Sequence, residues 1–211
     1  MADTTTGQRA ERADAARNRR VILAATQELL DRHGAGHVSL DRVARLAGVG
    51  KGTVFRRFGN RTGLFQSLLE EQAESIRHGI ETGPPPLGPG APPRQRLLAF
   101  VTELAGLSTS NLELKDAHDR SCAENVHDSP TYKRWHTHVR ALIEECRPDI
   151  EAGFTAHVML GAFHADLVRH TVVTSGVPQF IRDVRQLADS LTAERRDGRD
   201  GDDRYGRQRS R

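Results

Sequence analysis

Apolar residues recur along this chain at intervals of three and four, the spacing that gathers them on one face of a helix. Ile22, Ala25, Leu29 and Leu30 do so between about Ala16 and His33, and Gly34 is a natural stop. Ser39 can N-cap a second, shorter helix, with Asp41 favourable in its first turn and Val43, Ala44 and Ala47 on its inner face. Gly48-Val49-Gly50 breaks that helix with a sharp turn, Val49 filling the core between the glycines. A third helix is predicted from about Lys51 to Phe58. Asn60 then caps a fourth, whose stripe of Leu64, Phe65, Leu68 and Leu69 carries it to about Gly79.

Residues 83–93, Gly-Pro-Pro-Pro-Leu-Gly-Pro-Gly-Ala-Pro-Pro, cannot be helix interior and read as a semi-rigid connector of polyproline character. Helical spacing returns from about Arg94 to about Leu114, with Leu97, Val101, Leu104 and Leu107 on one side. Residues 115–128 are ambiguous and partly helical. Ser129-Pro130 opens a helix to about Cys146, with the proline in the first turn. Pro148 and Asp149 mark a break and restart. One long helix is then expected to Ser175, ended by Gly176, and a last one from about Pro178 to Ala193 with Ile181, Val184, Leu187, Ala188 and Leu191 as its stripe. No segment alternates with period two, so the fold is expected to be all-α. Residues 1–15 and 194–211 are polar without apolar periodicity, which predicts a flexible arm and a disordered charged tail. Arg9 and Arg12 in the arm read as part of a solvated tail.

Charge divides the chain. The net of +3 hides a head, residues 1–66, with twelve Lys/Arg against six Asp/Glu, and a stretch 67–193 with twelve against seventeen. A basic head on an acidic body suggests that the head alone meets a polyanion. Cys122 and Cys146 are too few for a disulfide framework and lack metal-ligand spacing. No apolar run is long enough to span a membrane and the N-terminus lacks a signal-peptide core, so a soluble cytoplasmic protein is expected.

The third helix gives the charge a direction. With Val54 inward and Phe58 four positions on, a rotation of about 100° per residue turns Gly52 and Arg56 outward. An outward Arg can reach O6 and N7 of guanine with two parallel hydrogen bonds. Gly52 lets the helix approach the base edges, and Thr53 suits a phosphate or a thymine methyl. Lys51, Arg57 and Arg61 are placed for phosphates, Arg61 at a helix N-terminus.

Three stretches carry a family resemblance: Val-Ser-Leu-Asp-Arg-Val-Ala-Arg-Leu-Ala-Gly-Val over 38–49, Lys-Gly-Thr-Val-Phe-Arg-Arg-Phe over 51–58, and Asn60-Arg-Thr-Gly-Leu64. Together they resemble the DNA-binding domain of TetR-family transcriptional regulators, over about residues 16 to 72. The resemblance implies an N-terminal three-helix helix-turn-helix domain, here residues 16–62, and a C-terminal helical effector-binding and dimerisation domain, residues 63–193. Thr53 matches the threonine of the family's recognition helix that contacts the DNA backbone. Phe55 stands where Tyr is usual, Arg57 where His or Tyr is frequent, Arg61 where Lys is usual, and Gly63 where Glu is common, which removes a capping box. The expected DNA-contacting set is Ser39, Arg42, Gly50, Lys51, Gly52, Thr53, Phe55, Arg56, Arg57, Asn60 and Arg61.

The resemblance also implies a homodimer paired through the last two long helices, with Gly153, Gly161, Ala162 and Ala165 allowing close approach. Two recognition helices about 34–36 Å apart would read a near-palindromic operator. A small-molecule effector in the body would release it, making the protein a repressor. Phe100, Leu104, Trp135, His138, Phe154, His157 and Phe163 are the candidate effector-pocket residues, though core packing accounts for such side chains as well.

Other chemistry fares less well. Gly48-Val-Gly-Lys-Gly-Thr53 looks like the end of a nucleoside monophosphate kinase phosphate loop, but position 45 is Arg and an amphipathic helix, not a strand, precedes it. Ten histidines include His136 and His138, His157, His164 and His170, yet no pair within one predicted helix has the i, i+4 spacing of a strong metal site. Polar edges of packed helices are the expectation, with no metal, cofactor or catalytic residue.

Overall fold

The computed structural model describes residues 4–110, 112 and 126–193. Every regular element among them is helical: α1 Thr4–His33, α2 Leu40–Ala47, α3 Lys51–Phe58, α4 Arg61–Thr82, α5 Pro93–Ser110, α6 Pro130–Cys146, α7 Ala152–Gly161, α8 Ala165–Ser175 and α9 Val177–Thr192, with single 3-10 turns at Ala35–His37 and Val126–Asp128. No helix is long and apolar enough to cross a membrane among these residues. Residues 113–125, which include Cys122, and the expected tail at 194–211 lie outside the described residues.

Two apolar clusters divide the molecule. Ile22, Leu23 and Leu30 of α1, Val43 and Ala44 of α2, and Val54 and Phe58 of α3 close on one another beneath Leu64, Phe65 and Leu68 of α4. The second cluster joins Leu97, Phe100, Val101 and Leu104 of α5 to Val139, Leu142 and Ile143 of α6, Met159 and Leu160 of α7, and Phe180, Val184 and Ala188 of α9. Within it α9 packs along α5, and α6 packs on both α5 and α7. The fourth helix serves both clusters, since Ile76, two turns beyond Leu68, belongs to the second. The fourth helix is thus the element common to head and body.

Local chemistry sets the ends of the short helices. Ser39 Oγ accepts from the Arg42 amide at 3.3 Å, and Asn60 Oδ1 accepts from the Gly63 amide at 2.9 Å. Gly48, at φ 67° and ψ 28°, closes α2 in the left-handed region that a β-carbon disfavours. Val49 donates its amide to the Ala44 carbonyl at 3.0 Å and packs against the first cluster.

Four expectations are corrected. The first helix begins at Thr4 rather than near Ala16, so the arm expected over 1–15 is helical from Thr4. The physical reason lies in that stretch itself, where Ala, Arg and Glu favour helix without any apolar stripe, and Asp14 pairs with Arg17 at 3.2 Å one turn on. The single helix expected over 149–175 is two. Glu151 caps α7 by accepting from the Gly153 and Phe154 amides, and Ala162–His164 then interrupts the run. That break turns Phe163 inward, where its ring meets Phe180 edge-on at 6.1 Å. Ala165, expected at the dimer seam, is buried within the protomer. Finally, residues 83–93 form tight turns rather than an extended polyproline rod. Leu87 folds onto the end of α4, where a β-carbon on Gly79 would stand 2.6 Å from its side chain. A β-carbon on Gly88 would lie 1.8 Å from the Gly83 carbonyl oxygen, so the glycines allow the close return. The fourth helix consequently ends against a fixed stop at Thr82, one turn past Gly79.

Candidate nucleic-acid interface

The third helix has the phase expected of it. Val54 is fully buried and Phe58 nearly so, whereas Gly52, Arg56 and Arg57 are exposed and Thr53 is half-buried on the flank. Phe55 is 61% exposed, which places an aromatic ring in solvent beside the cations.

The cations differ in how they are held. Lys51 Nζ lies 2.9 Å from Asp41 at the start of α2. Arg57 donates to the Ala15 carbonyl of α1, and Arg42 to the His37 carbonyl at 3.1 Å. Arg61 donates to the Ala35 carbonyl, and its guanidinium carbon sits 5.0 Å from the Phe65 ring centroid. Each of these arginines keeps further N–H groups for an anion, and each is already oriented by its own head. Arg56 makes no hydrogen bond or ion pair to any described residue. The geometry thus distinguishes one unattached arginine at the centre of the exposed face from a ring of tethered cations around it. Arg19 was missing from the expected set. It sits 5.8 Å over the Phe58 ring and donates to the Ser67 carbonyl at 3.4 Å, bracing α1 against α4. Only the tertiary arrangement reveals that role.

The candidate effector residues are brought together only in part. Phe100 and Leu104 lie in the second apolar cluster, and Phe163 packs on Phe180. Phe154 points outward with 69% of its surface exposed. His157 belongs to a ring cluster at the α6–α7 corner: Tyr132 Oη hydrogen-bonds its Nδ1 at 2.6 Å, and the His136 ring centroid is 4.0 Å away. His136 Nε2 in turn donates to the Gly153 carbonyl at 3.0 Å, linking α6 to α7. Among the described residues no three His, Cys, Asp or Glu side chains are grouped as metal ligands.

Trp135 and His138 do share a cavity, of about 510 Å³, between α4 and α6. Its α4 wall carries Glu70, Glu74, Arg77, Ile80 and Glu81, none of them anticipated from sequence. Arg77 there is paired with both Glu74 and Glu81. Phe100 stands behind the opposite wall, edge-on to Trp135 at 6.3 Å and to His138 at 5.3 Å. Burial, and then the nearby Arg96 charge, hold the His138 imidazole down at about 4, so it is neutral near pH 7.

A three-helix head that presents a cationic helix, joined by a shared helix to an all-α body, defines a DNA-binding regulator of the helix-turn-helix class. Residues 22–68 match the family described as bacterial regulatory proteins, tetR family. Over 164 residues the chain is 24% identical to an HTH-type transcriptional regulator of Staphylococcus aureus (strain MRSA252), a match that takes in 75% of this chain and 84% of that one. Similar folds occur in a transcriptional regulator from Rhodococcus sp. Rha1 (TM-score 0.59, 17% identity, 82% of this chain and 95% of that one). A TetR transcriptional regulator from Streptomyces coelicolor is also similar, with a TM-score of 0.54 and 24% identity over 82% of this chain and 95% of that one. Residues 22–68 thus match the DNA-binding head of the tetR family, and the chain as a whole has the fold of these transcriptional regulators.

Proposed function

We propose that this protein represses transcription by holding a near-palindromic operator as a homodimer, and that a small molecule in the body releases it. The observation that carries the DNA half of this reading is the phase of α3, with Val54 and Phe58 buried and an untethered Arg56 outward among tethered cations. In this reading residues 16–62 form the reading head and 63–193 the effector and dimer body. Arg56 and Gly52 face the bases. Lys51, Thr53, Arg57 and Arg61 hold the backbone, helped by Ser39, Arg42, Gly50, Phe55 and Asn60 at the rim of the same surface.

The dimer seam is assigned to the last helices of the body. Phe154 and Val158 on α7 and Leu167 and Val173 on α8 are large apolar side chains left exposed in a single protomer. Gly161, also exposed, would let a second copy approach closely.

For release, the cavity between α4 and α6 supports an effector that pushes on α4, the helix shared by both clusters. The turn packed against Gly79 limits the travel of its far end, so displacement is transmitted toward Arg61. Selection from a random duplex pool tests the DNA reading, and a near-palindrome with half-sites about one helical turn apart is the expected result. Equal affinity for all duplexes would instead favour a helical adaptor whose partner is a protein. Sedimentation with effector present tests the switch: operator affinity should fall while the dimer persists, and effector-driven monomers would refute it.

A further inference from the structure

The start of α1 at Thr4 leaves a helical stretch that the core does not account for. Of residues 13–21, none belongs to either apolar cluster, and Ile22 is the first buried core residue of α1. Within 13–21 only Ala15 and Arg19, one turn apart, are half-buried, and the rest are exposed. Those two mark the side turned toward α3. The Ala15 carbonyl accepts from Arg57, and the Arg19 guanidinium sits 5.8 Å over the Phe58 ring. The helix therefore leaves the head at the edge of the exposed α3 face. From Ala15 back to Thr4 it runs a further distance of about 16 Å, at 1.5 Å per residue.

Helical register sorts the charges of this stretch. Residues 4–20 hold Arg9, Arg12, Arg17, Arg19 and Arg20 against Glu11 and Asp14. With 3.6 residues per turn, Arg9, Arg12, Arg19 and Arg20 fall within one sector of about 100°, with Ala16 in its middle. Glu11 and Asp14 fall beyond Ala15 on the opposite flank, where Asp14 pairs with Arg17 at 3.2 Å. Alternating signs along a face mark a solvated helix laced by ion pairs. Four arginines gathered in one sector, with both acids outside it, suit a helix laid against a polyanion instead.

We propose that residues 4–20 of α1 are a second contact with duplex DNA, lying along the sugar-phosphate backbone that flanks the half-site read by α3, with Arg9, Arg12 and Arg20 at phosphates. This rests on the DNA reading of α3 above and extends it from the half-site to its flank. Two features select the occupant. The sector is cationic, as a phosphate backbone requires, and it continues the α3 surface through Arg57, which that reading already assigns to the backbone. Arg19 stays with the head: its bond to the Ser67 carbonyl at 3.4 Å and its place over Phe58 fix the direction in which the helix leaves. A rod of about 16 Å spans about five base pairs, at 3.4 Å per phosphate along one strand. Backbone contacts carry no sequence information, so the flank adds affinity and salt dependence but no base preference.

The test uses the duplex recovered by random-pool selection, with and without about ten base pairs of arbitrary sequence on each side, roughly twice the reach of the extension. Affinity is measured over a salt series with the unmodified full-length protein, which should bind the flanked duplex about tenfold or more tighter at low salt. Arg9→Gln combined with Arg12→Gln should remove that gain and lower the slope of log affinity against log salt by about two per protomer. Affinity for the unflanked duplex and the selected base preference should not change in that variant. Arg9→Lys combined with Arg12→Lys should keep the slope, because the charge is kept. Equal affinity for flanked and unflanked duplexes, or an unaltered slope in the Gln variant, overturns the inference and leaves the reading of α3 standing. A selection that returns no preferred sequence removes the reading of α3 and this inference with it. If the Gln variant changes the sedimentation of the DNA-free protein while its salt slope stays the same, the stretch is a protein contact and the inference is refuted.

Discussion

Arg56 and Arg61 are both cationic and exposed, yet the structure gives them different work. Arg56 projects from the middle of α3 with no intramolecular tie, whereas Arg61 is bound to the Ala35 carbonyl and stacked over Phe65. Arg56→Ala should cost about 1–3 kcal/mol of operator affinity and relax preference at one guanine, measured by competition between operator variants. If preference survives, the phase assigned to α3 is wrong. Arg61→Ala should weaken all duplexes alike and reduce the slope of log affinity against log salt by about one phosphate contact. Because its guanidinium also braces the turn before α2, this variant should lower the melting temperature as well, which Arg56→Ala should not. Sequence alone could place both residues on the head; it could not tell the tethered arginine from the free one, because the tether is a carbonyl 26 residues away.

At the scale of elements, the turn from α3 to α4 departs most instructively from the family pattern. Gly63 stands where Glu would complete a capping box, and from sequence this looks like a lost stabilisation. The structure reverses that reading. A β-carbon on Gly63 would lie 2.2 Å from the Phe58 carbonyl oxygen, so any side chain there must push α4 away from α3. Gly63→Ala, ordinarily favourable within a helix, should therefore destabilise the head by about 1–3 kcal/mol in chemical denaturation. A more stable variant would mean that the α3–α4 turn relaxes freely. The body shows the same limit of local reasoning. Periodicity continues across Gly161, so one helix over 149–175 was the natural expectation. What interrupts it is the burial of Phe163 against Phe180, a residue of the following helix.

For the molecule as a whole, the two apolar clusters joined by α4 make the stability of the body sensitive to acid. His138 is held down at about 4 by burial and then by Arg96, against an ordinary value of 6.5. Its unfolded form therefore binds the proton first as pH falls. The associated stability is fully present above about 6.5 and is lost progressively toward pH 4, about 2 kcal/mol after discounting for its partial exposure. His157 adds in the same direction, held down by desolvation and then by His136 and His127. Thermal melts between neutral pH and the onset of general acid denaturation should show this loss. His138→Phe, which removes the titrating ring, should flatten it, and an unchanged pH profile in that variant would assign the acid sensitivity elsewhere.

The residues themselves determined most of the head. Ser39 and Asn60 act as caps, Gly48 takes the left-handed turn, and Val54 and Phe58 point inward, because caps, turns and a 3.6-residue period act over a few neighbouring positions. The all-α class followed from the same local rules. Tertiary structure alone decided what depends on elements distant in the chain. It separated Phe100, Phe154 and Phe163 into core, surface and helix break, and it opened a cavity whose wall is α4. It also set Arg96 near His138, 42 positions further along. Apolar periodicity reports which face of a helix turns inward; it carries no information about which helix, or which gap between helices, that face will meet.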